Sequence, residues 1–280
     1  MLVGLRSRKH IAPFALLRPV TVAEAANALA VDGSVPLAGG IDLIDRLKSG
    51  VPVTRVVALS GVDELKAIRR EADDLVIGAL ATHHAIATSD VGAAALPDLP
   101  GLWRGVANPR IRFTGTIGGN LASALPHYDG WPAVLALGGH AVLAQPGGEP
   151  PIVEQAGPAD LRGALLLSIR IPVGPETRHL LADRSLHPTL SVYLGAKANG
   201  GVLRSARIAV GCAFPQARAA ELPVAGIPIS EVGSRAADLA AAATAVLGEP
   251  RSDGLASGSY RARTIAVLTR RLLVRLGARG

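Results

Sequence analysis

Val106-Ala107-Asn108-Pro109-Arg110-Ile111-Arg112-Phe113-Thr114-Gly115-Thr116-Ile117-Gly118-Gly119-Asn120-Leu121-Ala122 sets a glycine-rich polar turn between two apolar segments. Asn108-Pro109 marks a turn closing a helix expected over Gly101–Pro109. Gly115 to Asn120 reads as a tight loop whose successive backbone N–H groups, with Thr116 and Asn120 as side-chain donors, suit a phosphate. Glycine lets such a backbone turn sharply and lets the ligand come close. Upstream, Leu37-Ala38-Gly39-Gly40-Ile41-Asp42-Leu43 has the same form. Val35 to Ala38 reads as a short strand, and Ile41, Ile44 and Leu47 form a helical apolar stripe ending near Gly50. Two such loops can grip a pyrophosphate from both sides, although a single Gly-Gly turn is commonly no more than a chain reversal. Neither loop is followed by Gly-Lys-Ser/Thr, and neither is a G-x-G-x-x-G fingerprint, so P-loop and Rossmann sites are disfavoured.

Outward from these loops the pattern is mixed. Thr21-Val22-Ala23-Glu24 is a capping box opening a helix to about Ala30. Strands are expected at 55–59, 75–79, 141–144 and 165–171, the last closed by Pro172. Short helices are expected at 60–68, from Thr82 to Ala87, and at 131–137. Gly174 to Arg178 reads as a linker. Beyond it, 190–198 and 205–212 form a hairpin around Asn199-Gly200-Gly201, followed by helices at 235–247 and 260–276. Ile265, Leu268, Leu272 and Leu276 share one face of the last helix. Strands and helices do not alternate regularly, which predicts an α+β fold with a boundary near residue 175.

Composition narrows the classes. The chain has 280 residues, 49% hydrophobic and 18% charged, enough for two folded domains. The longest apolar candidate, Trp131 to Val142, is interrupted by Gly138, Gly139 and His140 and falls short of a membrane span. Met1-Leu2-Val3-Gly4-Leu5-Arg6 lacks the order of a signal peptide, so a cytoplasmic location is expected. The net charge is +7, carried mostly by Arg, but aromatics are only 3% and no nucleic-acid module is present. Compositional bias accounts for the Arg and Ala excess as readily as an anionic partner does. The single cysteine, Cys212, excludes an intrachain disulfide and a cluster held by this chain alone. It lies in an apolar stretch and reads as a core residue.

Continued through Pro126, Asp129, Pro132 and Ala133, residues 106–122 resemble the FAD-binding medium subunit of molybdenum hydroxylases of the carbon monoxide dehydrogenase and xanthine dehydrogenase type. The likeness runs through nearly the whole chain, in order: Arg18-Pro19 with Glu24-Ala25, Leu37 to Leu43, Ile77-Gly78-Ala79 with Thr82-His83, Ser168-Ile169-Arg170-Ile171-Pro172, Ala206 to Gly211, and Tyr260-Arg261. The resemblance implies a vanillyl-alcohol-oxidase (PCMH-type) FAD-binding domain over 1–175, with subdomains of about 1–60 and 61–175, and a small C-terminal α+β domain over 176–280. It implies non-covalent FAD, its pyrophosphate held by Leu37, Ala38, Gly39, Gly40, Ile41, Asp42 and Leu43 and by Thr116, Gly118, Gly119 and Asn120. It further implies Asp129 near the ribityl or isoalloxazine region, and Val106 and Leu166 lining the flavin. Electrons would come from molybdopterin through [2Fe-2S] clusters, both on partner subunits, in a dimer of heterotrimers, and leave to NAD, a quinone, oxygen or another acceptor.

Three departures stand out. Ile41 replaces a usual polar residue, removing a hydroxyl donor worth about 1 kcal/mol. Phe113-Thr114 replaces a common Asn-Arg, and Arg178 and Leu180 fall where an aromatic and a Lys often precede Arg184. A flavin-less scaffold and a free-standing FAD oxidoreductase are therefore the alternatives. His83-His84 makes a poor chelate, since neighbouring side chains on a helix diverge by about 100°. His127 and Tyr128 are candidates for facing the flavin or the electron entry path, and Asp129 also reads as the N-cap of the 131–137 helix. Arg270, Arg271 and Arg275 form either a docking face or a solvated helix face.

Overall fold

The computed structural model describes residues 11–123, 125–144, 152–155, 164–185 and 189–280. The N-terminal stretch Met1–Arg6 lies outside them. Among the described residues the fold is α+β, with three sheets in chain order.

The first sheet is parallel. Strand β1 (Ala15–Leu17) leads to helix α1 (Val22–Leu29), then β2 (Ser34–Leu37), α2 (Ile41–Lys48) and β3 (Arg55–Ala58), in the order β1-β3-β2. The capping box forms as expected on one side: Thr21 Oγ accepts from Glu24 N at 3.2 Å. The Glu24 carboxylate returns to Val20 N at 2.8 Å, one residue further out than a capping box usually reaches.

The second sheet is antiparallel, ordered β4-β5-β8-β6-β7. It comprises β4 (Ile68–Glu71) and β5 (Asp74–Gly78), then, after helices α3 (His83–Ala87), α4 (Asp90–Ala95), α5 (Asp98–Arg104), α6 (Pro109–Thr114), α7 (Ile117–Ser123) and α8 (Gly130–Ala136), β6 (His140–Ala144), β7 (Ile152–Gln155) and β8 (Leu165–Pro172). Arg170 on β8 reaches Glu71 at 2.5 Å and Asp74 at 3.3 Å, tying β4, β5 and β8 together. The helix expected over 60–68 is instead two 3-10 turns, at 59–61 and 63–65, because the end of the segment is drawn into sheet pairing: Leu80 N and Gly78 N donate to Leu65 O and Ala67 O, and Ile68 enters β4 in register with Ile77. The helix expected over Gly101–Pro109 begins earlier and stops at Arg104. Asn108 then caps a new helix, its Oδ1 accepting from Ile111 N at 3.0 Å, with Pro109 at the first helical position.

The third sheet is antiparallel, ordered β12-β11-β10-β9. Strands β9 (Thr177–Arg184), β10 (Ser191–Asn199), β11 (Val202–Gly211) and β12 (Arg218–Leu222) precede α9 (Ile229–Val232), α10 (Ala236–Leu247) and α11 (Gly258–Gly277). The expected 174–178 linker ends early, since Thr177 and Arg178 already pair with Ala198 and Lys197. Helices α10 and α11 cover one face of this sheet; Ile265, Leu268, Leu272 and Leu276 are buried there. The opposite face carries Leu180, Tyr193 and Ala209 into the core around α8, so the third sheet joins the flank of the second.

Candidate functional site

The two glycine runs meet in space. A Cβ built on Gly39 would lie 1.9 Å from the Thr114 carbonyl oxygen and 3.0 Å from Gly115 Cα, and one on Gly119 would face the Ala38 Cβ at 3.9 Å. Only a residue without a side chain permits the first of these approaches. Gly40 has φ +75° and starts α2 without a side-chain cap, so Ile41, Asp42 and Leu43 present first-turn N–H groups with no intrahelical acceptor. Ile41 is 39% exposed and adds no hydroxyl. Leu43 is turned into the small core with Leu47, Val53 and Val56, so only its backbone can serve a ligand.

The second run differs from the expected loop: it is the first turn of α7. Its backbone donors are engaged, Ile117 N by Ala81 O, Gly118 N by Ala79 O, Gly119 N by Thr116 Oγ and Asn120 N by Thr116 O. A Cβ on Gly118 would meet Ala79 O at 2.6 Å, so Gly118 serves packing of α7 against β5. What this run offers a ligand is side-chain hydrogens: the Thr116 hydroxyl, which accepts from Gly119, and the amide NH2 of Asn120, whose Oδ1 accepts from Gly130 N at 2.9 Å. Trp131 Nε1 donates to Leu121 O at 3.0 Å beside it. Together these bonds pin the neck of the 125–129 turn. Tyr128 at its tip is half-buried, and burial followed by the nearby Asp42 and Asp45 raises its pKa. His127 is exposed and packs edge-on to Tyr128 at 4.8 Å.

Asp129 is bound by the third sheet. Its Oδ1 accepts from the Tyr193 hydroxyl at 2.6 Å and its Oδ2 lies 3.3 Å from Arg184, which also donates to Tyr193 Oη and to the Gly105 carbonyl. Tyr193 is fully buried, and burial together with Asp129 raises its pKa well above the ordinary value, so it stays a donor. Burial opposes the charge of Arg184, but Tyr193 and Asp129 hold its pKa above the ordinary value. Asp129 does stand at the N-cap position of α8, its carbonyl accepting from Ala133 N, but its carboxylate makes no cap bond and is turned to Tyr193 and Arg184 instead. Cys212 beside this cluster is buried at φ +66°, and burial followed by Asp129 pushes its thiol up to about 11, a core residue and not a nucleophile.

Val106 and Leu166 are both buried in the core of the second sheet. Val106 precedes Ala107, a non-glycine residue at φ +48°. Arg112 Nη1 donates to the carbonyls of Val106 and Ala107 at 2.9 and 2.8 Å, which offsets that strain. Neither the left-handed Ala107 nor its Arg112 clamp was foreseeable from residue type alone. His83 is buried and accepts from Trp103 Nε1 at 3.1 Å through Nδ1; burial and then Arg112 lower its pKa to about 4. His84 instead stacks on Phe113 at 4.1 Å. Arg261, from the Tyr260-Arg261 pair, is an internal strut, donating to Arg251 O and to both Asp253 oxygens. Of the α11 arginines, Arg271 pairs with Asp183 at 3.2 Å and Arg275 donates to Ala182 O, while Arg270 is exposed.

Open first-turn donors on α2, two side-chain donors at the start of α7 (Thr116 just before it and Asn120 within it) and a glycine contact between them fit an FAD pyrophosphate. The arrangement defines a dinucleotide-flavin-binding protein in which a small parallel sheet and a larger antiparallel sheet each bring one glycine run. Residues 12–174 match the family described as FAD binding domain in molybdopterin dehydrogenase, and the chain belongs to that family. It is 33% identical over 278 residues to the carbon monoxide dehydrogenase medium chain of Afipia carboxidovorans, covering 94% of this chain and 96% of that one. It is 28% identical over 272 residues to the glyceraldehyde dehydrogenase medium chain of Sulfolobus acidocaldarius, covering 91% and 95%. Among solved structures, the reconstituted CO dehydrogenase from Oligotropha carboxidovorans superposes with TM-score 0.84 at 29% identity, covering 97% of this chain and 100% of that one. Quinoline 2-oxidoreductase from Pseudomonas putida 86 superposes with TM-score 0.82 at 27% identity, covering 96% and 98%. The chain is thus an FAD-binding oxidoreductase subunit of the molybdenum hydroxylase type. Among the described residues no helix is long and apolar enough to cross a membrane.

Proposed function

We propose that this chain carries non-covalent FAD between an iron–sulfur subunit and an external electron acceptor, in a cytoplasmic dimer of heterotrimers whose third subunit holds molybdopterin. Bound FAD supplies a carrier that takes electrons from one-electron clusters and delivers them in pairs. The chain's own residues bind and orient it. The backbone of Leu37, Ala38, Gly39, Gly40, Ile41, Asp42 and Leu43 and the side chains of Thr116 and Asn120 would hold the pyrophosphate, with Gly119 letting the second run approach Ala38 and Gly118 letting α7 pack on Ala79. Asp129, fixed by Tyr193 and Arg184, would orient the ribityl or ring portion, and Val106 and Leu166 would exclude water beneath it. Residues 1–175 would form the flavin domain, in subdomains of about 1–60 and 61–175, and residues 176–280 the C-terminal domain that braces Asp129.

The observation that carries this reading is the contact of Gly39 with the Thr114–Gly115 backbone, which sets the open donors of α2 beside those of α7. The CO dehydrogenase and quinoline oxidoreductase likenesses support the subunit assignment. A flavin-less scaffold in the same complex is the second reading, favoured by the missing hydroxyl at Ile41 and by Leu180, which is buried and offers no charge. Affinity purification from the native host tests the assembly. Iron–sulfur and molybdopterin chains should co-purify; a yellow chain recovered alone would point instead to a free-standing flavoenzyme.

A further inference from the structure

On the third sheet, away from Asp129, polar residues from all four strands converge beyond the C-terminal end of α8. Arg178 on β9 is in register with Lys197 on β10, which is in register with Ser205 on β11; two residues on, Arg207 is opposite Glu221 on β12. These five side chains, with Ala136, Leu137, Gly138, Gly195 and Ala196, line a cavity of about 110 Å³. A cavity needs only roughly 10–15 Å³ to admit one water, whereas pockets for drug-sized ligands begin at roughly 300 Å³.

The charges in it are not balanced. Arg207 engages Glu221 through Nε and Nη2 and covers the Leu135 carbonyl at 3.3 Å, which would otherwise repel an anion at this helix end. Arg178 is only 7% exposed, and its Nε has no hydrogen-bond partner. Directly opposed like charges destabilise a ladder, and an uncompensated buried cation is costly to a fold. Glu176 lies within electrostatic range of both Arg178 and Lys197, while Asp74 is engaged by Arg170. Three cations against Glu221 and Glu176 still leave one positive charge in excess. Burial, and for Lys197 the neighbouring Arg178, lowers the pKa of both cations.

We propose that this cavity binds a phosphate-class oxyanion, held by Arg178, Lys197 and Ser205. A guanidinium with a free, buried Nε, an ammonium and a hydroxyl on adjacent strands match the geometry of such an anion. The volume suits a free oxyanion or the phosphoryl end of a larger molecule whose remainder stays outside. The Arg at 178, one of the departures from the family pattern, is the residue that creates the site.

The test is a thermal-unfolding titration of the full chain with saturating FAD, at constant ionic strength, against inorganic phosphate and, separately, a nucleoside monophosphate. The proposal predicts a saturable rise in Tm of roughly 2–3 °C at ten times Kd. Lower working concentrations for phosphate identify a free oxyanion; lower ones for the monophosphate identify a carried phosphoryl group. Arg178→Met should abolish the response yet raise Tm without phosphate, because a buried unpaired charge is removed. Lys197→Met should weaken the response at least tenfold, which keeps the test decisive if Arg178→Met misfolds. Arg204→Met, on the exposed face of β11, should respond like wild type. No saturable shift with either ligand, or an undiminished shift in both Arg178→Met and Lys197→Met, overturns the proposal.

Discussion

Gly39→Ala is the sharpest perturbation of the flavin site. The added Cβ would sit 1.9 Å from the Thr114 carbonyl oxygen and 2.7 Å from its carbon. A C···O contact settles near 3.3 Å, so the two glycine runs must separate by about 1.4 Å. Both partners are backbone, and no rotamer can relieve the clash. Overpacking of this kind costs about 1–3 kcal/mol, and at about 1.4 kcal/mol per decade the FAD affinity should fall roughly 10- to 100-fold. Titration of the apo chain with FAD, followed by quenching of flavin fluorescence, measures the change. Gly101→Ala is the control: it has open space around its Cβ and ordinary φ, so affinity should not move. A Gly39→Ala chain that binds FAD within twofold of wild type would refute the claim that contact between the two runs forms the site.

Lowering the pH should expose His83. Its folded pKa of about 4 lies below the ordinary 6.5, so between these values the unfolded chain takes up a proton that the folded chain does not. Stability then falls as pH drops from about 6.5 to about 4, by up to roughly 3 kcal/mol; urea titrations should show this slope, and His83→Asn, which can still accept from Trp103, should flatten it. Tyr193→Phe and Asp129→Asn should be coupled by about 1–3 kcal/mol in a double-mutant cycle, and strictly additive effects would count against the brace. Ile41→Thr restores a hydroxyl at an exposed position, and FAD should bind about fivefold tighter, equivalent to about 1 kcal/mol; an unchanged Kd would remove Ile41 from the pyrophosphate site.

Local chemistry carried much of the fold into the sequence. Thr21 and Thr82 cap the helices expected of them, and the hairpin around Asn199-Gly200-Gly201 forms with the anticipated strands. The errors have a common cause, competition from distant backbone. Residues 60–68 have helical spacing, but pairing with Ile77, Gly78 and Leu80 draws the end of the segment into the second sheet. Gly115 to Asn120 reads as a loop because it is glycine-rich, yet Gly118 is there so that α7 can approach Ala79, and the helix follows. At the site, the first run was legible as strand, turn and helix. The order of the two runs could be read, but not that they touch. The Tyr193–Asp129–Arg184 cluster joins residues far apart in the chain and carries no local signal. Arg178 was visible as a departure from the family, but its burial without a partner for Nε depends on the register of β9 against β10.

The central claim is that this chain binds FAD without a covalent link. Its most direct test is the visible absorption spectrum of the purified chain after reconstitution with FAD and removal of excess, followed by acid precipitation. An oxidised-flavin spectrum with one FAD per chain, all released into the supernatant, is the expected result. A colourless chain that takes up no FAD, or flavin that stays with the precipitate, would contradict it.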